Sequence, residues 1–176
     1  MVELPVLEKF FFEASLKGYA SGAKAVRSPD PLTPGRKIYT HTRRDPGLYY
    51  VDAFWTSGEG SGGTTFIYEM TTGSEDRWPL LWFMHYGGWC KGDNPAVLDV
   101  PKGRLRLAYE RREFLGGRGV DGDVSVANQT LCYRNQWHGR FEYFGGEERI
   151  FVDRTPDTVF WHKFWGMAPL HYRLPS

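Results

Sequence analysis

The chain has 176 residues, with 22 Lys and Arg against 21 Asp and Glu, for a formal net charge of +1. So balanced a charge gives no field that would draw nucleic acid, and the length suits one domain, residues 1–176, that buries its own core. Rings make up 16% of residues, 7 Trp, 10 Tyr and 12 Phe, beside 21 Gly and 11 Pro, and many rings plus many turns predict a β-rich fold.

Cys90 and Cys132 are the 2 cysteines, too few for a disulfide scaffold, so two free buried thiols in a reducing compartment are expected. Residues 4–20 carry Glu8, Lys9, Glu13 and Lys17 rather than a leader's apolar run, and no apolar stretch reaches membrane-spanning length. The expectation is a soluble, cytoplasmic protein without a membrane partner.

Leu7, Phe10, Phe11 and Ala14 fall at helical spacing between Pro5 and Gly18, which predicts an amphipathic N-terminal helix whose rings pack on a sheet. Residues 21–34 then read as a loop. Strand patterns follow at 36–43, 48–55, 64–71 and 78–89, the third after a glycine-rich turn at 58–63. Residues 94–112 break the β pattern with Asn94-Pro95 as cap and first turn, and Pro101 and Gly103 predict two short helical pieces. Residues 116–123 read as a flexible turn, and strands close the chain at 124–136, 140–144 running on through 147–153, and 158–166. The result is an α+β chain: a curved, mainly antiparallel sheet of about seven strands, a half-barrel or cup, with an N-terminal helix and a mid-chain helical excursion. A closed calycin-like barrel is the alternative.

Two segments carry the chemistry. In residues 79–89 a histidine, His85, sits among Trp82, Phe83, Met84, Tyr86 and Trp89; in residues 159–166 His162 sits among Phe160, Trp161, Phe164 and Trp165. An imidazole titrates near working pH and is suited to general acid or base work. A structural histidine bonded to a carbonyl is the plainer reading of each. Alternation puts Phe83 and His85 on one strand face and Trp82, Met84 and Tyr86 on the other, and joins Phe160, His162 and Phe164. Asp52 within Tyr49-Tyr50-Val51-Asp52-Ala53-Phe54-Trp55 is a mid-strand carboxylate that needs a reason: proton transfer, orientation of a histidine, or an arginine partner. Tyr50 shares its face and can donate to a ligand or fill core. The candidate catalytic set is His85, Asp52, His162 and Tyr50; the candidate substrate-binding rings are Trp55, Trp82, Phe83, Tyr86, Phe141, Phe160, Phe164 and Trp165.

Other chemistries find little support. There is no zinc-ligand spacing and no metal or cofactor motif; Gly116-Gly117-Arg118-Gly119 lacks the context of a phosphate-binding loop. No Gly-x-Ser-x-Gly elbow occurs, and Ser57 and Ser61 read as turn residues. Glu147-Glu148 read as a solvated hairpin, and Arg104, Arg106, Arg111 and Arg112 as a solvated helix face.

The order of landmarks resembles one family. Phe11-Phe12-Glu13-Ala14 with Tyr19-Ala20, then Tyr50-Val51-Asp52, then Pro79 with Trp82, Met84, Tyr86 and Gly87 carry the first half of the likeness. Residues 139–145, Glu147-Glu148-Arg149-Ile150 and 159–166 carry the second, so it covers about residues 10–168. The family is a bacterial and archaeal domain of unknown function, small α+β proteins that occur alone or behind an XRE-type helix-turn-helix domain. The resemblance implies no established activity; fusion to a DNA-binding domain implies ligand sensing in those members. This chain departs from the pattern at His85, where Asn is usual, and at Trp165, where His is usual. Two functions follow as expectations. The first is a cofactor-independent isomerase, cyclase or lyase acting on a small hydrophobic or aromatic substrate in an aromatic-lined pocket. The second is a non-catalytic small-molecule-binding or sensor domain. The enzyme is preferred because His85 replaces the usual Asn and no DNA-binding partner is fused. A homodimer through exposed rings is a further expectation.

Overall fold

In the computed structural model, residues 2–73, 77–126, 128–155 and 157–171 are described. Helix α1, Leu4–Lys17, begins with Pro5 in its first turn, where a missing N–H costs nothing, and buries Leu7, Phe10, Phe11 and Ala14 along one stripe. The strands are β1 (Val26–Arg27), β2 (Lys37–Arg43), β3 (Leu48–Ser57), β4 (Gly60–Glu69) and β5 (Leu80–Cys90). Helix α2 (Pro95–Arg111) intervenes before β6 (Gly122–Val126), β7 (Gln129–Arg140), β8 (Tyr143–Val152) and β9 (Thr158–Met167).

These strands form one antiparallel nine-stranded sheet in the order β1-β2-β3-β4-β5-β9-β8-β7-β6. Two meanders, β1 to β5 and β6 to β9, are joined where β9 returns to pair with β5, from Phe83 opposite Met167 to Cys90 opposite Phe160. The sheet is curved and open; β1 and β6 lie at its two ends and do not meet, so the closed-barrel alternative is not formed. Both helices lie on the inner face. Phe10 and Phe11 of α1 and Leu105, Ala108 and Tyr109 of α2 share one core with Tyr50, Ile67, Trp82, Met84, Phe144 and Phe164 of the sheet.

Several expectations need correcting. Helix α2 is one unbroken helix, not two pieces, although Pro101 lies inside it. The Asn94 side chain accepts from the Ala96 N–H at 3.0 Å, and Val97, Val100, Pro101 and Leu105 are buried. That packing outweighs one lost hydrogen bond, while Gly103 faces open space and disturbs nothing. The expected strand at 124–136 is two strands, β6 and β7; residue 127, which lies within it, falls outside the described residues.

Glycines 60, 62 and 63 belong to β4 rather than to a turn. A Cβ on Gly63 would come within 2.6 Å of the Tyr86 hydroxyl, so the bare backbone makes room for that ring.

Candidate functional site

Strand register decides which side chains share a face. Asp52 pairs with Thr65, Thr65 with Met84, Gly63 with Tyr86, Gly88 with His162, and His162 with Glu148. All of these point inward, and between them and the helices lies a cavity of about 560 Å³. Ligand pockets commonly measure about 300–1,000 Å³. Its walls include Phe11 and Tyr109 of the helices and Tyr50, Asp52, Tyr86, Phe160 and His162 of the sheet. Its mouth lies among exposed residues Lys24, Arg27, Gly58, Glu59 and Asp93.

Two polar networks form the floor. In the first, Asp52 is buried, and its Oδ1 accepts from the Tyr86 hydroxyl at 2.8 Å and the Thr65 hydroxyl at 3.0 Å. Burial raises the carboxyl pKa above the ordinary value of 3.8, against the downward pull of both hydroxyls and of the Arg118 charge. Its second oxygen, Oδ2, takes no hydrogen bond from the described residues. Burial also pushes the Tyr50 and Tyr86 phenols well above 10.0, with Asp52 adding to both, so each stays a hydroxyl donor.

The second network centres on Glu148, which is fully buried. Its carboxylate takes Arg118 Nη2 on Oε1 and the Tyr133 hydroxyl on Oε2. Burial works to raise its pKa, but the charge of Arg118 and the neighbouring His162 ring prevail and hold it at about 2. His162 Nδ1 lies 3.4 Å from Glu148 Oε1, an ion-pair distance without hydrogen-bond alignment, and Nε2 lies 3.0 Å from Ser61 Oγ. An anionic carboxylate beside Nδ1 favours the proton there, which leaves Nε2 to accept from Ser61. Arg118 itself is buried, with its guanidinium 5.3 Å from the Tyr86 ring and 5.9 Å from the Phe164 ring.

The structure thus divides the predicted site residues. Asp52, Tyr50, His162, Tyr86 and Phe160 line the cavity. His85 does not. It occupies the outer face, where Nδ1 lies 2.8 Å from Thr64 Oγ1 and its ring lies 5.0 Å from Trp165 and 5.2 Å from Phe83. Strand alternation that aims Tyr86 inward necessarily aims its neighbour outward. Phe83, Trp165 and Trp55 share that outer side, with Trp165 and Trp55 exposed, so none lines the cavity. Trp82, Phe141 and Phe164 are core: Trp82 stacks on Phe141 at 5.3 Å and donates its indole N–H to the Phe141 carbonyl.

Three residues that matter were read as surface in the sequence. Glu148 is buried rather than solvated, because β8 alternation turns it inward opposite His162. Ser61 lies in β4, not in a turn. Arg118 sits in a buried segment, 116–119, rather than a flexible turn. Gly116 and Gly117 have φ of +67° and +70°, and a Cβ on the first would come within 2.6 Å of the Phe164 ring. A Cβ on Gly119 would strike Arg104 at 2.6 Å. The glycine run is thin because it threads between helix α2 and the sheet to deliver one arginine. Glycines flanking a single cation were the available signal.

Among the described residues, no helix is long and apolar enough to cross a membrane, and no group of three or more His, Cys, Asp or Glu is arranged to hold a metal ion. No family model, no curated protein and no solved structure matches this chain.

Proposed function

We propose that this protein is a cofactor-independent enzyme of the isomerase, cyclase or lyase type, which moves a proton on a small hydrophobic or aromatic substrate held in the inner cavity. The observation that carries this reading is Asp52: a buried carboxyl with one oxygen fixed by Tyr86 and Thr65 and the other left for a ligand. Its raised pKa suits a group that must both take and return a proton. In the working step Asp52 Oδ2 removes a proton from substrate carbon, the electron pair shifts into the adjoining unsaturated system, and a proton is returned at another carbon. His162 acts through the Ser61 hydroxyl as the second proton-handling group. Tyr50 remains a phenol and orients the ligand as a donor. The likeness to a family with sensor members supports a second reading, binding without turnover, and a cytoplasmic setting fits the two free cysteines.

Both readings meet in one experiment. A panel of small aromatic ketones and acids with acidic C–H bonds is incubated with the protein in D2O, and hydrogen–deuterium exchange is followed by NMR. An enzyme catalyses exchange, and Asp52→Asn lowers the rate by about 100-fold or more with affinity changed less than about threefold. Binding without exchange in the native chain assigns the cavity to the sensor reading.

A further inference from the structure

We infer that the ligand of the inner cavity is an aromatic carboxylate, its acid group seated on Arg118 and its ring lying against Tyr86 and Phe160. This rests on the cavity being a ligand site and adds the chemical class of the ligand.

The first argument is the unfinished hydrogen bonding of a buried cation. A guanidinium carries five N–H donors in a fixed fork. Arg118 is 6% exposed, yet only Nη2 is engaged, by Glu148. Nε is buried without an acceptor, and Nη1 meets no acceptor among the described residues. A guanidinium donor in so buried a setting is costly to leave without an acceptor, and an entering carboxylate supplies one to Nη1. Arg118 lines the cavity, so an acceptor entering it has this residue in its wall while Nη2 is held by Glu148. Tyr86 and Phe160, both in the cavity wall, supply flat apolar surface for the remainder of the molecule.

The second argument is charge at the mouth. Exposed Lys24 and Arg27 lie there beside Glu59 and Asp93, and half-buried Lys37 and Lys102 also line the cavity. Glu59 accepts from the Gly92 N–H and keeps its charge, and Lys102 is paired with Asp99, while Lys24 and Arg27 meet no counter-ion among the described residues. An approaching anion therefore meets a cationic rim. Inside, the charges of Arg118 and Glu148 offset each other.

Titration calorimetry with 2-naphthoate and its neutral isostere 2-naphthamide tests this on the native chain at neutral pH. The expected result is naphthoate binding at least about tenfold tighter. Arg118→Met combined with Glu148→Gln removes the pair together and leaves neither charge buried alone; there the two probes should bind equally. Equal binding of the two probes to the native chain overturns the inference while the proton-transfer reading stands. A naphthoate preference that survives in the double variant also overturns it, since the acid group would then sit at the rim. Failure of both probes to bind removes the inference together with the reading of the cavity as a ligand site.

Discussion

Asp52 and Glu148 are two buried carboxylates, both on inner strand faces, whose environments drive them apart. Glu148 has a guanidinium and stays ionised; Asp52 has only hydroxyls, and desolvation wins. Their effects on stability have opposite signs. A carboxyl whose pKa is raised on folding favours the fold while protonated, and this advantage is lost as pH rises above 3.8 and through the folded value. Asp52→Asn should therefore match the native chain in urea midpoint near pH 4 and exceed it at pH 8. A midpoint difference that does not grow with pH would refute this. Glu148 contributes stability above 4.5, and this is lost as pH falls toward about 2. Glu148→Ala should lose about 3–5 kcal/mol at neutral pH, because Arg118 is left buried and unpaired. The variant should also show a shallower acid transition between those two pH values. Asp52 was legible in the sequence because a carboxylate within a run of strand formers stands out. Glu148 was not, because a Glu-Glu pair after two glycines has the pattern of any solvated hairpin, and only pairing with β9 fixes which of the two turns inward.

Elements were legible where periodicity is strong. Helix α1 and strands β3, β5 and β9 show plain alternation or helical spacing, and the structure has them within a few residues of the expected ends. Elements governed by glycine and proline were misread, since those residues report local conformational freedom and not what the surroundings do with it. Glycines 60, 62 and 63 in β4 clear space for Tyr86; Gly116 and Gly117 clear space beneath the helices; Pro101 is carried by its own burial. The segment 116–119 is the element on which the site depends most. In Gly117→Ala the new Cβ would lie 3.0 Å from Met84 Sδ and 3.4 Å from Phe11, in a left-handed conformation. A loss of about 1–2 kcal/mol is expected in chemical denaturation, from the backbone conformation alone. Ligand affinity should weaken with it as Arg118 is displaced. Unchanged stability would show that the segment yields easily and does not clamp the arginine.

At the scale of the molecule, the larger of two cores joins both helices to the sheet, the smaller packs Val97 and Val100 of α2 on Leu131, Tyr133, Ile150 and Phe160, and the cavity is the part of the interface left unfilled. Phe11 belongs to the larger core and to the cavity: it is fully buried, lies 4.9 Å from the Trp82 ring and 5.6 Å from Tyr109, and forms part of the cavity wall. Phe11→Ala should cost about 3–5 kcal/mol by thermal or urea unfolding and widen the cavity, so that ligands one ring larger gain affinity relative to smaller ones. A loss below about 1 kcal/mol would mean that the helix closes down over the gap. The overall architecture was legible because hairpin order alone fixes two meanders. The seam between them was not, since pairing of β5 with β9 joins residues 70 to 84 positions apart, from Cys90 with Phe160 to Phe83 with Met167. That open topology carries a last consequence for behaviour in concentrated solution. An open rim of a sheet is a template on which another copy can pair, the first step of fibrillar growth. Here one rim is a strand of 2 residues, ending in the exposed Arg27, and the other a strand of 5 that includes the exposed Asp123. β1 covers only Lys37 and Ile38 of β2, and β6 only residues 129–133 of β7, so each rim is stepped, and a passing chain finds only short, charge-flanked edges to extend.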